Sequence, residues 1–473
     1  MPSKNISFDA IPSSIRKPGK YFEFNTRLAV RTLPANLQKM LIIAQRLVAG
    51  TVAALVPTNV FSDAEAATYF GNGSNAHLMC RAAIKANPYL QLTVCALDDN
   101  GAGAAATGTI TITGPATGPG VIRLFVGNRR IEMAIATGAA ANAIAAALKA
   151  EIDKYADLPV TAAVAEAVIT LTARHKGTIG NLVDLVTEVT AAGVASAVVA
   201  MAAGATDPDT ATAYAKVFAE QYHIIAIPYV DATAIGALKT HLDSVSGPME
   251  QRPGIGIYAI DSALATATTL SASINSGRIA GAFLRGTKSP SYEVAAALAA
   301  VIAFEEDPAR PLNTLALTGI AAPDVTQRLS RTEQENCLNN GTLPLEVGPG
   351  EVVQIVRAVT TYLKDAQNID DISLLDLTTI RTLDYVRKAC RDRIALRFPR
   401  EKLSSKTPPK VRSELIDVLK KLEDLEIVEE VSANLPGLIV ERDLQDPNRL
   451  DAKIPTDVVN GLHVFAARID LLL

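Results

Sequence analysis

The amino-acid sequence predicts an α/β core with a mixed sheet, an inserted α+β domain, and a C-terminal α+β domain with extended terminal arms. Short apolar runs typical of strands buried on both faces alternate with helical segments, first before residue 99 and again after residue 206. Between these two stretches the composition shifts to Ala, Gly, Thr and Val. A chain of 473 residues is long enough for about three domains.

The first core segment, residues 31–99, has a β-α-β pattern. The apolar run KMLIIAQR (39–46) predicts a buried strand, and Ser62-Asp-Ala-Glu65 matches the capping box of a helix start. A second helix is predicted over 74–86, and LQLTVCAL (90–97) predicts another buried strand. Strands separated by helices in this way indicate parallel pairing.

Residues 100–205 are predicted to form an inserted peripheral α+β domain. Gly127-Asn128 lies between VIRLFV and RRIEMAIA, which is the pattern of a β-hairpin. An Ala-rich helix near 139–155 and the strands PVTAAV and AVITLTA complete the predicted unit.

The core pattern resumes over residues 206–340, so this segment and residues 31–99 are predicted to form one discontinuous domain. Asp231 is placed to cap a helix. The predicted elements, in order, are a helix over 209–220, a strand over 223–230, a helix to about 243, strands over 254–260 and 278–284, and a helix over 291–304.

Residues 341–461 are predicted to form a separate C-terminal inner domain. It would begin with a hairpin around Gly348-Pro-Gly350 and continue with helices over 371–398 and 411–426. In the first helix, apolar residues at helical spacing are predicted to pack on the core: Leu383, Val386, Cys390 and Ile394.

Both ends are predicted to be extended arms, over residues 1–30 and 462–473. Ile6, Phe8 and Ala10 alternate before a Pro-rich stretch, and Phe465, Ile469 and Leu471 fall on one side of a terminal strand. An unpaired terminal strand is an aggregation hazard, which pairing with another subunit would remove. The alternative is that both ends fold back onto their own core.

Composition argues against several classes of partner. A formal net charge of −4 gives no field that would draw the chain onto nucleic acid. No uninterrupted apolar stretch of about 20 residues predicts a membrane span or a signal peptide. The four cysteines and five histidines show no zinc-ligand spacing, so neither a metal site nor a cofactor is predicted.

Two glycine motifs only partly match phosphate-binding loops. Gly71-Asn-Gly73-Ser-Asn-Ala76 has the spacing of a dinucleotide turn but is predicted to join two helices instead of following a strand. In the segment from Gly281 to Lys288, Thr and Lys stand in reversed order compared with a phosphate loop. The pairs Asp98-Asp99 and Asp370-Asp371 are predicted turn or cap residues, and no catalytic constellation is found.

Four segments resemble the tail sheath proteins of Mu-like phages and together span nearly the whole chain. They are ISFDAIPSSIRKPGKYFEF at the start, LPVTAAVAEAVITLTARHKGTIGN (158–181), EEDPARPLNTLAL (305–317) and LIVERDLQDPNRLDAKIPTDVVNGLHVFAARIDLLL (438–473). The resemblance implies a structural virion protein that forms a homopolymer of stacked hexameric rings around a tail tube and then contracts.

The same resemblance implies further partners and a place of synthesis. Baseplate and tail terminator proteins would meet the ends of the polymer, and the host bacterial cytoplasm would be the site of synthesis. Basic residues of the long C-terminal helix, Arg381, Lys388 and Arg391, are then expected to face the tube. The alternative is that they form an ordinary solvated helix face. The resemblance does not distinguish the tail of a phage from that of a phage-derived bacteriocin.

Two other functions remain alternatives at this level. One is an α/β enzyme whose site residues lie far apart in sequence, and the other is a different self-assembling shell or surface-layer protein. Electron microscopy of the expressed protein separates the three, because only a sheath is expected to form hollow, striated tubes.

Overall fold

The computed structural model describes residues 14, 16–22, 33 and 36–471. Ile6 and Phe8, with most of the predicted N-terminal arm, lie outside the described residues. The first core segment has the predicted elements and one additional edge strand: β1 (Lys39–Gln45), β2 (Pro57–Val60), α1 (Asp63–Phe70), α2 (Asn75–Ala86) and β3 (Gln91–Leu97). Ser62 caps α1 by accepting a hydrogen bond from the Glu65 amide, as its sequence predicts.

The inserted segment forms two antiparallel sheets and one helix around a hydrophobic core of its own. Its elements are β4 (Ala105–Thr113), β5 (Gly120–Val126), β6 (Arg129–Ile135), α3 (Ala141–Ile152), β7 (Val160–Ala165), β8 (Val168–Lys176), β9 (Leu185–Val189) and β10 (Ala195–Ala202). The strand orders are β10-β4-β8-β7 and β6-β5-β9. The predicted hairpin at Gly127 is the β5–β6 turn, and Gly127 adopts a φ of 57° there.

The second core segment returns to alternating strands and helices. It contains α4 (Ala211–Val217), β11 (Ile224–Ala226), α5 (Ala232–Ser246), β12 (Ile255–Ile260), α6 (Leu264–Ile274), β13 (Ile279–Phe283), α7 (Ser291–Phe304), α8 (Arg331–Asn339), β14 (Leu343–Gly348) and β15 (Val352–Ile355). Asp231 caps α5 by accepting from the amides of Thr233 and Ala234. Helix α7 is buried over nearly its whole surface, because small Ala side chains let its neighbours approach closely.

The two core segments build one eight-stranded mixed sheet in the order β15-β14-β13-β12-β11-β1-β3-β2. The strands from β14 to β3 pair in parallel, and the two edge strands pair antiparallel. From β1 the chain passes through the edge strand β2 to β3, which lies beside β1, and after the insertion it returns to β11 on the other side of β1. The carboxyl ends of β1 and β11 therefore form the topological switch point of the sheet.

The hairpin that was predicted to open the C-terminal domain belongs instead to this central sheet. Strand β14 pairs with β13 through Ala282–Leu343 and Phe283–Pro344. Leu345 and Val353 are buried in the central hydrophobic core. The predicted domain boundary at residue 341 is therefore too early, because the apolar faces of both hairpin strands complete the core that the parallel strands begin.

The remaining elements are α9 (Leu377–Arg397), α10 (Thr407–Asp424), β16 (Val428–Glu429), α11 (Val431–Asn434), β17 (Ile439–Arg442), β18 (Leu450–Lys453) and β19 (Asp457–Val458). Helix α9 begins later than the predicted residue 371, because Asp371 lies in a turn where it accepts hydrogen bonds from Ser373 and from the Tyr362 hydroxyl. Two compact units are present. One contains Val386–Leu425 and Val431–Pro455, and the other contains Asn36–Tyr385, Glu426–Glu430 and residues 456–471.

Candidate assembly surfaces

The C-terminal segment is fixed at His463. The Asn313 amide lies 3.0 Å from His463 Nδ1, and Asp376 Oδ1 lies 3.5 Å from its Nε2. Gly461 packs so closely on Pro311 that an added Cβ would stand 2.8 Å from the proline ring. Burial, together with the nearby Arg357 charge, lowers the pKa of His463. These contacts place His463 within the folded body, so the predicted arm starts one or two residues later than 462.

Beyond His463 the segment exposes apolar side chains to solvent. Phe465 is 84% exposed, Ile469 is 95% exposed and Leu471 is 82% exposed. Residues 464–471 form neither helix nor strand within the single chain. The predicted strand is thus not formed by internal pairing, and the fold-back alternative does not describe these residues. Exposed apolar side chains in a row mark an interaction site.

The β15 edge of the central sheet is already covered by its own chain. The Thr314 amide donates to the Ile355 carbonyl at 2.7 Å, and the Leu317 amide donates to the Val353 carbonyl at 2.8 Å. The backbone of 314–317 therefore satisfies the outer edge of this hairpin. Strand addition by a partner at this edge would have to displace it.

The β17–β18 hairpin forms a two-stranded sheet by itself, with pairs from Ile439–Lys453 to Arg442–Leu450. No third strand pairs with it in the described part of the chain. A two-stranded sheet is marginally stable in water, and its outer edges can accept a further strand. The hairpin is consequently a candidate acceptor of an extended segment.

The structure corrects the predicted basic face of α9 at Arg381. Only 8% of Arg381 is exposed, and its Nη2 donates to the Glu305 carbonyl. Burial lowers its pKa to about 10, although the carboxylates of Glu305 and Asp307 oppose this. A guanidinium in this position cannot face a tube. Helical spacing alone does not predict the burial of Arg381, because its partner Glu305 lies 76 residues earlier in the chain.

The other basic residues of α9 differ in exposure. Arg391 is exposed beside Asp392, at 3.3 Å, and Lys388 is half-buried. Arg393 is buried and forms ion pairs with Glu414 at 3.1 Å and Asp417 at 2.6 Å on α10. Of the predicted apolar stripe, Val386 and Cys390 are buried, whereas Leu383 is 36% exposed. Lys388 and Arg391 therefore remain the candidates for a charged contact on this helix.

The glycine motifs have structural roles. Gly71-Asn-Gly73-Ser74 joins α1 to α2, as predicted, and an added Cβ on Gly73 would lie 2.5 Å from the Leu158 carbonyl. Gly286 adopts a φ of 65°, and Lys288 lies 3.3 Å from Asp324. Pro290 precedes the first residue of α7. The Gly73 amide donates to His77 Nδ1 at 3.0 Å, and the Gly286 amide donates to Asp261 Oδ1 at 2.8 Å, so both amides are used within the chain.

The cysteines are buried free thiols. Burial raises the pKa of Cys95, Cys337 and Cys390 to about 11, which disfavours the reactive thiolate. Within residues 36–471, no group of three or more His, Cys, Asp or Glu side chains could hold a metal ion. None of the described helices combines the length and apolarity needed to cross a bilayer.

A buried carboxyl group lies where the insertion meets the core helices. Glu293 of α7 is 5% exposed, its Oε2 accepts from Asn128 Nδ2 at 3.2 Å, and Arg81 of α2 lies 4.0 Å from its Oε1. Burial raises the pKa of Glu293 to about 7, while the Arg81 charge opposes the shift. The folded protein therefore favours the protonated acid more than the unfolded chain does.

We expect Glu293 to make stability fall as the pH rises. Its stabilising contribution is complete below the unfolded pKa near 4.5 and is lost as the pH rises through about 7. Relative to Glu293→Gln, wild type should lose roughly 3 kcal/mol between pH 4 and pH 8. Urea unfolding followed across that range measures the difference, with exposed Glu188→Gln as the control. Parallel pH profiles for wild type and Glu293→Gln would contradict the assignment.

Two family models match the chain. The phage tail sheath protein central domain matches residues 203–361, and the phage tail sheath C-terminal domain matches residues 355–471. The Mu-like prophage FluMu tail sheath protein of Haemophilus influenzae is 33% identical over 487 aligned residues, which cover 99% of this chain and 100% of that protein. These matches describe structural tail proteins and not enzymes.

Solved structures with the same fold include two sheath tail proteins and one tail assembly. The protein from Desulfitobacterium hafniense has a TM-score of 0.52 at 13% identity and covers 94% of this chain and 97% of its own. The protein from Listeria innocua has a TM-score of 0.52 at 14% identity, with 91% and 94% coverage. A chain of the anti-feeding prophage baseplate has a TM-score of 0.51 at 12% identity, with 97% and 100% coverage. The sequence matches and the shared fold together establish that this chain belongs to the phage tail sheath protein family.

Proposed function

We propose that this chain is the subunit of a contractile sheath that polymerises around a tail tube and contracts to drive the tube through the target cell envelope. The observation that carries the proposal is the C-terminal segment, which is fixed at His463 and then exposes Phe465, Ile469 and Leu471. A surface of this kind suits a protein that functions only in a polymer.

The terminal arms link neighbouring subunits in this proposal. Residues 464–473, and the N-terminal arm with Ile6 and Phe8, add as strands to a neighbour. The β17–β18 hairpin is the acceptor that the chain offers, since it is two strands wide and carries unpaired edges in the described residues. Backbone hydrogen bonds supply the affinity, and alternating apolar side chains set the register.

Each remaining segment has a role in the same proposal. Residues 31–99 and 206–340 carry the sheath's α/β domain, which the β14–β15 hairpin completes. Residues 100–205 form a peripheral module, and the segments after the hairpin form the inner domain next to the tube. Subunits stack as hexameric rings, and tube, baseplate and tail terminator proteins contact the polymer. The chain is made in the host bacterial cytoplasm and ends in the virion.

Contraction should need no nucleotide. Both glycine motifs serve local packing, so the energy has to be stored in the extended array and released into a more stable packing of the same subunits. Purified extended tails exposed to mild acid or denaturant in nucleotide-free buffer are expected to contract, as seen by electron microscopy. Tails that contract only when ATP is added would overturn this part of the proposal.

Charge on α9 should affect assembly on the tube more than folding. Reversal at Lys388 and Arg391, as Lys388→Glu with Arg391→Glu, is expected to weaken assembly if this face meets an acidic tube. High salt should weaken wild-type assembly in the same way. Co-sedimentation with purified tubes measures both effects, and Lys364→Glu provides a control outside the helix. Assembly that is insensitive to the reversal and to salt would exclude the tube-facing role.

A further inference from the structure

The carboxyl ends of the parallel strands are the usual ligand site of an open α/β sheet, specifically at the switch point where the strand order reverses. In this sheet the switch point lies beside Gln45, the last residue of β1. Asp98 and Asp99 follow β3, the next strand on one side, and Tyr229 follows β11 on the other side. The insertion leaves the core from this same edge.

His175 and Lys176, at the end of β8 in the inserted domain, lie against this edge of the sheet and contact Asp99. His175 is 4% exposed, and its Nδ1 lies 2.8 Å from Asp99 Oδ1. The Asn75 amide donates to His175 Nε2 at 3.3 Å, which leaves Nδ1 as the protonated nitrogen that donates to Asp99. The Lys176 amide donates to Asp99 Oδ2 at 2.9 Å.

Gln45 completes the cluster from the core side. It is fully buried, and its Nε2 donates to Asp99 Oδ1 and to the Lys176 carbonyl, both at 2.7 Å. Its Oε1 accepts from Asn75 Nδ2 at 3.2 Å. Every polar group of the Gln45 side-chain amide thus has a partner. Two of its hydrogen bonds reach Asp99, in the segment that leads into the insertion, and Lys176, at the end of β8. We call Gln45, Asn75, Asp99, His175 and Lys176 the switch-point cluster.

The electrostatics agree with a closed, well-bonded cluster. Burial acts to raise the pKa of Asp99, but hydrogen bonds from His175, Lys176 and Gln45 outweigh it and lower the pKa. Burial raises the pKa of Tyr229, and the carboxylates of Asp207 and Asp99 raise it further.

The segments that lead into and out of the insertion, residues 98–104 and 203–210, are also bonded to each other and to the residues directly after β8. Ala104 and Ala205 exchange backbone hydrogen bonds, and Asn100 Nδ2 donates to the Asp207 carbonyl at 3.1 Å. Asp207 accepts from the Thr178 amide at 2.7 Å. A pair of connectors bonded in this way has little freedom to act as a hinge.

A second group of contacts joins the inserted domain to the core at α2 and at the loop before it. Asp157 accepts from Arg81 of α2 and from Arg129 of the β5–β6 hairpin, each at 2.7 Å. The Gly73 backbone packs on the Leu158 carbonyl without room for a Cβ. The loop at Gly71–Gly73, whose glycine spacing resembles a dinucleotide turn, consequently packs against the inserted domain.

We propose that the ligand crevice of this α/β sheet has become the docking site of the chain's own inserted domain, which the switch-point cluster holds in one orientation on the core. The end of β8 occupies the crevice through His175 and Lys176. The inserted domain then moves with the central sheet as one body.

Hydrogen exchange on the full-length chain tests the proposal. Asp99→Ala removes the acceptor of three hydrogen bonds, so the amides of Asn75 and Lys176 should exchange at least about tenfold faster. Strand β12 should be unchanged. Asp98→Ala is the matched control, because Asp98 is an exposed neighbour that pairs only with Arg46 among the described ion pairs. This variant should exchange like wild type at both amides.

Three results would overturn the proposal. These are exchange in Asp99→Ala within twofold of wild type at both amides, equal acceleration in Asp98→Ala, or acceleration that is as large in β12 as at the switch point. If Asp99→Ala does not fold, Asp99→Asn keeps the side-chain size and one acceptor oxygen. It is expected to accelerate exchange at Lys176 by a smaller factor, and unchanged exchange in that folded variant would equally count against the docking role.

Discussion

Removing residues 464–473 is expected to leave a folded monomer that cannot form tubes. The cut retains His463 and its contacts with Asn313 and Asp376, which fix this part of the chain to the folded body. It removes the apolar side chains that solvent now surrounds, including Phe465 and Ile469. Circular dichroism and size exclusion check the fold, and electron microscopy checks for tubes. The expected effect on polymerisation is complete loss.

Point substitutions separate the apolar face from chain length. Ile469→Asp should prevent tube formation, whereas Asp470→Asn, at the adjacent position, should preserve it. Deletion of residues 2–18 tests the other arm in the same assay. Normal tubes from the C-terminal truncation would eliminate the linking role of that end, and an unfolded product would show instead that the segment supports its own core.

Arg393→Met is expected to destabilise the unit that contains Val386–Leu425 by about 2–4 kcal/mol. The Arg393 side chain is 4% exposed, and it forms ion pairs with both Glu414 and Asp417. Burial alone would lower the pKa of Arg393, but the hydrogen bonds that it donates to these carboxylates raise it, so the guanidinium stays charged. Removing it leaves each carboxylate with a more exposed cation, Lys421 beside Asp417 at 3.0 Å and Arg397 beside Glu414 at 3.6 Å, so both lose their buried counter-charge. Urea unfolding of the monomer measures the change.

Arg391→Met is the matched control for this experiment. Arg391 lies two residues away on the same helix and is exposed. Its replacement should change the free energy of unfolding by less than about 0.5 kcal/mol. Equal losses for the two variants would show that helix propensity or chain packing, and not the buried ion pairs, determines the effect.

Much of the central fold follows from local patterns. Strands β1, β3 and β12 are continuous apolar runs, and Ser62 and Asp231 are strong caps, so their positions could be predicted to within a few residues. Strands β4 and β10 could not be predicted, because Ala, Thr and Gly give little contrast between the two faces. Pairing of β14 with β13 depends on a contact between residues about 60 positions apart, which no local pattern records.

The candidate surfaces were less predictable than the fold. The alternation from Phe465 to Leu471 predicts an apolar arm. The arm begins just after His463, because His463 contacts Asn313 and Asp376, more than 80 residues earlier in the chain. The buried position of Arg381 is hidden for the same reason. The sequence pattern predicts turns at Asp99 and Gly73. Their contacts with the insertion join parts of the chain that no spacing rule connects.

The position of β1 in the middle of the sheet also sets an order of events during synthesis. Strand β1 can pair with β3 as soon as residue 97 has left the ribosome, but its other edge pairs with Ile224–Ala226. The inserted segment, with its own hydrophobic core, is complete before that strand exists. The β11 edge of β1 therefore stays unpaired while more than 120 further residues are synthesised, although both faces of β1 are buried in the folded protein. Early folding of the insertion shortens the effective loop that must close before β11 can pair with β1.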